Sequence, residues 1–136
     1  MQLRFLLLAA LVGTCLASAG HGVKHLTDAD FAEQTGDGKV YFIKFFAPWC
    51  GHCKRLAPTW DQLADSFKDS EQVVIASVDC TEQKDVCTAA EIRGYPTLKV
   101  FHSGAEVDSY RGTRDLSALK SYITDKAKTQ LELTTA

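Results

Sequence analysis

The 136-residue chain contains no asparagine, which excludes N-linked glycosylation at every position. Nor does it carry a surplus of positive charge. Its 15 Lys and Arg stand against 17 Asp and Glu, a formal −2, which argues for an ordinary solvated surface and against a nucleic-acid partner. Internal repeats, low-complexity stretches and linker-like segments are missing as well. Beyond the first 19 residues there is no apolar run approaching the roughly 17–25 residues needed to cross a bilayer. What remains is the composition of one ordinary domain, large enough for its own core.

The N-terminus reads as a processing signal. Arg4 gives a positive start, Phe5 to Leu16 an apolar stretch, and Ala17-Ser18-Ala19 a small-residue cleavage pattern. Residues 1–19 are therefore expected to be a signal peptide cut after Ala19, leaving residues 20–136 as a single domain. The apolar stretch is too short to stay behind as an anchor, so no membrane association is expected after cleavage. Cysteine is scarce, with five in all, and cleavage removes Cys15. The four that remain, Cys50, Cys53, Cys80 and Cys87, form an even set that permits two disulfides in an oxidising compartment.

Cys50-Gly51-His52-Cys53 carries the chemistry. It follows an apolar run, Val40 to Phe46, that reads as a buried strand, and it opens an amphipathic stretch that reads as a helix to about Lys68. Cysteines three apart at a helix start share a face one turn apart. The first would sit where backbone N–H groups lack intrahelical partners and the helix dipole is positive, so its thiolate is stabilised. A cationic His52 between the cysteines would favour the same thiolate.

The remaining elements follow from pattern. Val23 to Leu26 is expected as a first strand, and Thr27 as the N-cap of a helix stapled by Leu26 and Phe31. Val73 to Asp79 reads as a second buried strand and Thr81 to Ile92 as a short helix. Thr97 to Phe101 and Glu106 to Tyr110 read as a hairpin around Ser103-Gly104, and Leu116, Leu119 and Ile123 mark a last helix capped by Asp115 or Thr113. Pro58 should kink the helix that contains it. The alternation predicts an α/β domain with a central mixed sheet flanked by helices.

Phe45 to Lys54, Leu56-Ala57-Pro58-Thr59-Trp60 and Arg93-Gly94-Tyr95-Pro96-Thr97 together resemble a catalytic thioredoxin domain of the protein disulfide isomerase family. Val78-Asp79-Cys80-Thr81, with Cys87 beyond it, is similar to the thioredoxin domain-containing protein 5 subgroup. The resemblance implies a thioredoxin fold and thiol–disulfide oxidoreductase or isomerase activity. It implies Cys50 as the attacking and Cys53 as the resolving cysteine, a redox-active pair, within a CGHC motif completed by Gly51 and His52. Pro96 would be the cis-proline facing the sulfurs, and Arg114 an arginine that swings toward the resolving cysteine. Trp49 and Tyr95, with Pro96, would form an apolar rim that binds substrate. The implied partners are cysteine-containing unfolded or partly folded secretory proteins, with an upstream oxidase or glutathione to reset the site.

Two departures from the family pattern stand out. Lys44 occupies the place where relatives keep a buried carboxylate. It either snorkels to water or, buried and neutral, takes over as proton acceptor. The chain also ends Leu131 to Ala136 with no K-D-E-L-type signal, so residence in the endoplasmic reticulum lumen, with release to the exterior, is the expectation.

Competing readings remain for each cysteine pair. Cys80 and Cys87 are expected to form a structural disulfide, with a second redox pair as the alternative. A zinc site is disfavoured because six residues separate Cys80 from Cys87, so no metal and no cofactor is expected. A binding module with an inert Cys50–Cys53 bond is the alternative to an enzyme.

Overall fold

The structure is a computed structural model that describes residues 22–135. The expected signal peptide lies outside the described residues. The elements run β1 (Lys24–His25), α1 (Phe31–Thr35), β2 (Val40–Phe46), α2 (Gly51–Ser66), β3 (Val73–Asp79), α3 (Lys84–Ala89), β4 (Thr97–His102), β5 (Ala105–Tyr110) and α4 (Leu116–Thr135). They build one five-stranded sheet in the order β1-β3-β2-β4-β5. β1, β3 and β2 are parallel, while β4 and β5 run antiparallel to their neighbours. This mixed sheet with helices on both faces is the thioredoxin fold.

β2 is apolar along its length, except at Lys44, because it is covered twice. Its even residues, Val40 and Phe42, face α2 and α4 in a cluster with Trp60, Leu63, Leu119 and Ile123. Its odd residues, Tyr41, Ile43 and Phe45, face α1 and α3 with Phe101 and Val86. Phe42 sits between Trp60 (ring centroids 4.9 Å apart) and Tyr122 (5.4 Å). Truncating so enclosed a ring to alanine costs about 3–5 kcal/mol. Trp60 fixes α2 to the sheet twice, through that packing and through its indole N–H, which donates to the Ala76 carbonyl at 3.0 Å. The α2 helix runs through Pro58 without a break.

Several local details differ from the sequence expectation. Thr27 does not cap α1; Asp30 precedes it, and its carboxylate accepts from the Thr27 backbone N–H at 2.8 Å. α3 is shorter than expected, because residues 80–82 form a turn in which the Asp79 carboxylate accepts from the Thr81 N–H and hydroxyl. The hairpin turn has positive φ at both Ser103 (53°) and Gly104 (77°), the conformation whose twist matches two antiparallel strands. Asp115, one of the two caps expected for the last helix, does cap α4 by accepting from the Ala118 N–H at 2.9 Å.

Candidate active site

β2 delivers the chain to the site. After Phe46 the chain turns through Ala47, Pro48 and Trp49, and Cys50 becomes the N-cap of α2 with extended backbone angles (φ −76°, ψ 124°). Its sulfur takes the role a capping oxygen plays elsewhere and accepts from the Cys53 N–H at 3.4 Å. On its other side the Cys50 thiol lies 3.5 Å from the Tyr95 carbonyl, immediately before Pro96. The Tyr95–Pro96 peptide is cis. Cys50 and Cys53 are unlinked here, in a cluster with Ala47, Phe46 and Tyr95.

The surroundings separate the two thiols. Cys50 is held below its ordinary value, chiefly by hydrogen bonds from the Cys53 side chain and backbone, with the Arg114 charge adding to the effect. Cys53 is pushed up, first by burial and then by its hydrogen bond to Cys50. The contrast in access is modest, 9% of the Cys50 surface against 4% for Cys53, so the Cys50 sulfur is less open than a helix-start position suggests. Donors aimed at the Cys50 sulfur and burial of the Cys53 sulfur together produce the asymmetry.

The other residues singled out from sequence are distributed around this pair. Gly51 is exposed, and a Cβ added there would meet nothing within 4 Å, so no steric demand calls for glycine. His52 is exposed, and its Nδ1 lies 2.7 Å from an Arg55 guanidinium nitrogen. A guanidinium only donates, so Nδ1 is the acceptor in this contact. Trp49 is 69% exposed and meets Tyr95 edge-on at 5.8 Å, forming the outer lip of the site. Arg114 is exposed and shares a pocket of about 160 Å³ with His52, Arg55 and Leu56. Its charge adds a small part to the lowering of Cys50.

Lys44 is buried, at 7% exposure, with its ammonium 5.0 Å from the Phe46 ring centroid. Burial lowers its pKa, while the charges of Asp61 and Cys53 pull the other way. Asp61 was not foreseen, yet it stands eight residues after Cys53 on α2, which returns it to the same helix face. Arg55 was also missed, and its i, i+3 spacing from His52 was the available signal.

Cys80 and Cys87 are joined, with Cα atoms 5.7 Å apart. They sit beside the site, not within it: the Cys80 N–H donates to the Phe46 carbonyl at 2.9 Å, and both sulfurs pack into the cluster under α1 and α3. Among the described residues no group of three or more His, Cys, Asp or Glu is placed to hold a metal ion.

A family model described as Thioredoxin matches residues 22–125. The rice protein disulfide isomerase-like 5-1 is 38% identical over 89% of this chain and 84% of its own length. The chain belongs to the protein disulfide isomerase family. Within that family it is 44% identical, over 82% of its length, to the Drosophila melanogaster thioredoxin domain-containing protein 5 homolog, of which it spans 27%. A crystal structure of human ERp44 superimposes with a TM-score of 0.73 at 32% identity, covering 77% of this chain and 30% of that one. The chain thus spans 27–37% of the first curated isomerase-family relatives it matches.

Proposed function

We propose that this domain is a secretory-pathway thiol–disulfide oxidoreductase and isomerase that forms and rearranges disulfides in folding proteins. The observation that carries the reading is the split between two neighbouring thiols, Cys50 lowered and Cys53 raised, at the start of α2 and against a cis-proline. As reductase, the Cys50 thiolate attacks one sulfur of a client disulfide, and the other client sulfur leaves and takes up a proton. Cys53 then loses its proton and attacks the Cys50 sulfur. This releases the second client thiol and leaves Cys50–Cys53 oxidised by the two electrons the client has gained. The reverse sequence oxidises a client dithiol, and incomplete passage in either direction shuffles its disulfides.

The exposed Trp49 against Tyr95 supports a client in extended or unfolded form, since an apolar lip fits exposed apolar side chains. An upstream oxidase or glutathione would restore the disulfide. The signal-like N-terminus supports the endoplasmic reticulum lumen as the location, and no described helix is long and apolar enough to cross a membrane. The test is entrapment. Cys53→Ser should accumulate mixed disulfides between Cys50 and client chains, resolved on non-reducing gels and identified by mass spectrometry. Absence of such adducts, with Cys50 intact, would remove the enzymatic reading in favour of a binding module.

A further inference from the structure

The chain has five arginines, four of them among the described residues: Arg55, Arg93, Arg111 and Arg114. All four line two adjoining grooves, one bordered by Pro96 and the other by His52 of the Cys50–Cys53 motif, whereas the lysines are scattered over the fold. The larger groove, about 670 Å³, runs past Pro96 and Thr97 and is lined by Arg93, Arg111 and Arg114. Arg114 also borders the smaller pocket at His52 and Arg55, so the cationic surface is continuous around one side of the site. Two carboxylates reach the larger groove. Glu106 is already ion-paired with Lys99, which leaves Glu91 facing three arginines. Arg93, Arg111 and Arg114 are exposed and make no side-chain hydrogen bond or ion pair among the described residues.

The fork of a guanidinium matches the two oxygens of a carboxylate, which makes arginine suited to recognising anionic groups on a docked chain. The site thus presents a cationic channel on a molecule whose formal charge is −2. Local and net charge favour opposite ligands. We infer that the Arg93–Arg111–Arg114 groove is a specificity site that selects client segments carrying Asp or Glu beside the reacting cysteine. The inference rests on the exchange reaction proposed above and deepens it, since it names the client chemistry read at that site. Steering of this kind acts on the encounter, so it should appear in the second-order rate and weaken with salt.

The test uses reduced protein and three peptides of one length, with Glu, Gln or Lys flanking a central cysteine activated as its 2-thiopyridyl disulfide. The Cys50 thiolate attacks the peptide sulfur, that sulfur's bond to the thiopyridyl group breaks, and 2-thiopyridone leaves with a proton and is followed by absorbance. At low salt the Glu peptide should react about 10-fold faster than the Lys peptide, the low end of electrostatic steering. At about 1 M salt, where the Debye length is near 3 Å, the ratio should fall to about 2-fold or less. In Arg93→Gln/Arg111→Gln the low-salt ratio should fall likewise. Equal rates for all three peptides, faster Lys peptide, or a ratio indifferent to salt or to the double substitution would overturn the specificity site while leaving exchange intact. The salt series needs no variant and so does not depend on the double variant folding. Failure of all three peptides to outpace free cysteine would instead count against the exchange reaction itself.

Discussion

The two cysteine pairs emerge from the same edge of the sheet, after the adjacent parallel strands β2 and β3, and all four residues are buried, at 9% or less. Their chemistry nonetheless diverges. Cys50 caps a 16-residue helix, where its sulfur receives the Cys53 N–H and faces the carbonyl before a cis-proline. Cys80 leaves β3 into a turn, and Cys87 lies within a six-residue helix whose N-cap, Gln83, makes no side-chain cap. The second pair packs among Tyr41, Phe45 and Val86, and among the described residues no hydrogen-bond donor meets either sulfur. Burial, common to both pairs, does not make a cysteine redox-active. Stabilisation of one thiolate over its neighbour does.

The largest effect should come from removing the sulfurs themselves. Cys50→Ser should reduce exchange to the uncatalysed background, whereas Cys80→Ser/Cys87→Ser should keep it within a few-fold. The second variant should instead lose up to about 2–3 kcal/mol of stability, the chain-entropy limit for so short a loop. Insulin reduction and urea unfolding measure the two quantities. Loss of exchange in the double variant would place Cys80 and Cys87 inside the redox machinery and end the distinction. Redox titration sharpens the same contrast. The Cys50–Cys53 couple should fall between about −180 and −270 mV, and the Cys80–Cys87 couple below about −300 mV.

Much of this was legible because the patterns are local. Val40 to Phe46, apolar at six of seven positions with Lys44 the exception, reads as a doubly covered strand, and the cysteine spacing placed both thiols at a helix start. The errors fall where a side chain reaches across elements or back along the chain. Asp30, not Thr27, directly precedes α1, and its carboxylate folds back onto the Thr27 N–H instead of capping the helix. α4 continues to Thr135 because Ala127 is buried and Leu131 packs against the core, a weaker stripe than the Leu116–Ile123 segment that announced it. The proximity of Asp61 to Lys44 joins a helix to a strand, and no spacing in the chain encodes it directly.

A smaller effect separates the two thiols of the first pair. With Cys50 below and Cys53 above the ordinary thiol range, lowering the pH from 9 should silence Cys53 first. At pH 6–7 iodoacetamide should modify Cys50 faster than Cys53, because the lowered thiol holds the larger thiolate population. The linkage signs oppose each other. The depressed Cys50 contributes stability to the reduced fold at high pH that is lost as pH falls through its folded pKa. The raised Cys53 contributes stability at low pH that is lost as pH rises through its folded pKa. Equal alkylation rates, read by peptide mapping, would mean the Cys53 N–H and S–H donors do not distinguish the sulfurs.

Lys44 tests whether the surroundings of Cys53 also serve turnover. Its burial disfavours the ammonium, so the folded pKa lies below that of the unfolded chain. The associated stability is therefore present above the unfolded value of 10.5 and lost as pH falls through the folded pKa. Lys44→Met removes this burden, and at neutral pH it should stabilise the domain by about 1–2 kcal/mol, within the range seen when buried charges give way to apolar side chains. That advantage should shrink as pH rises toward 10.5, where the parental amine is neutral as well. If the amine also accepts the Cys53 proton, Lys44→Met should slow resolution of the mixed disulfide severalfold, and Lys44→Glu should restore it by supplying a carboxylate in the same place. Single-turnover resolution rates measured across pH separate the two roles. A stabilised Lys44→Met that resolves at the parental rate would make Lys44 a burden on the fold with no part in proton transfer, and the asymmetry between the thiols would then rest on their mutual hydrogen bonds and burial.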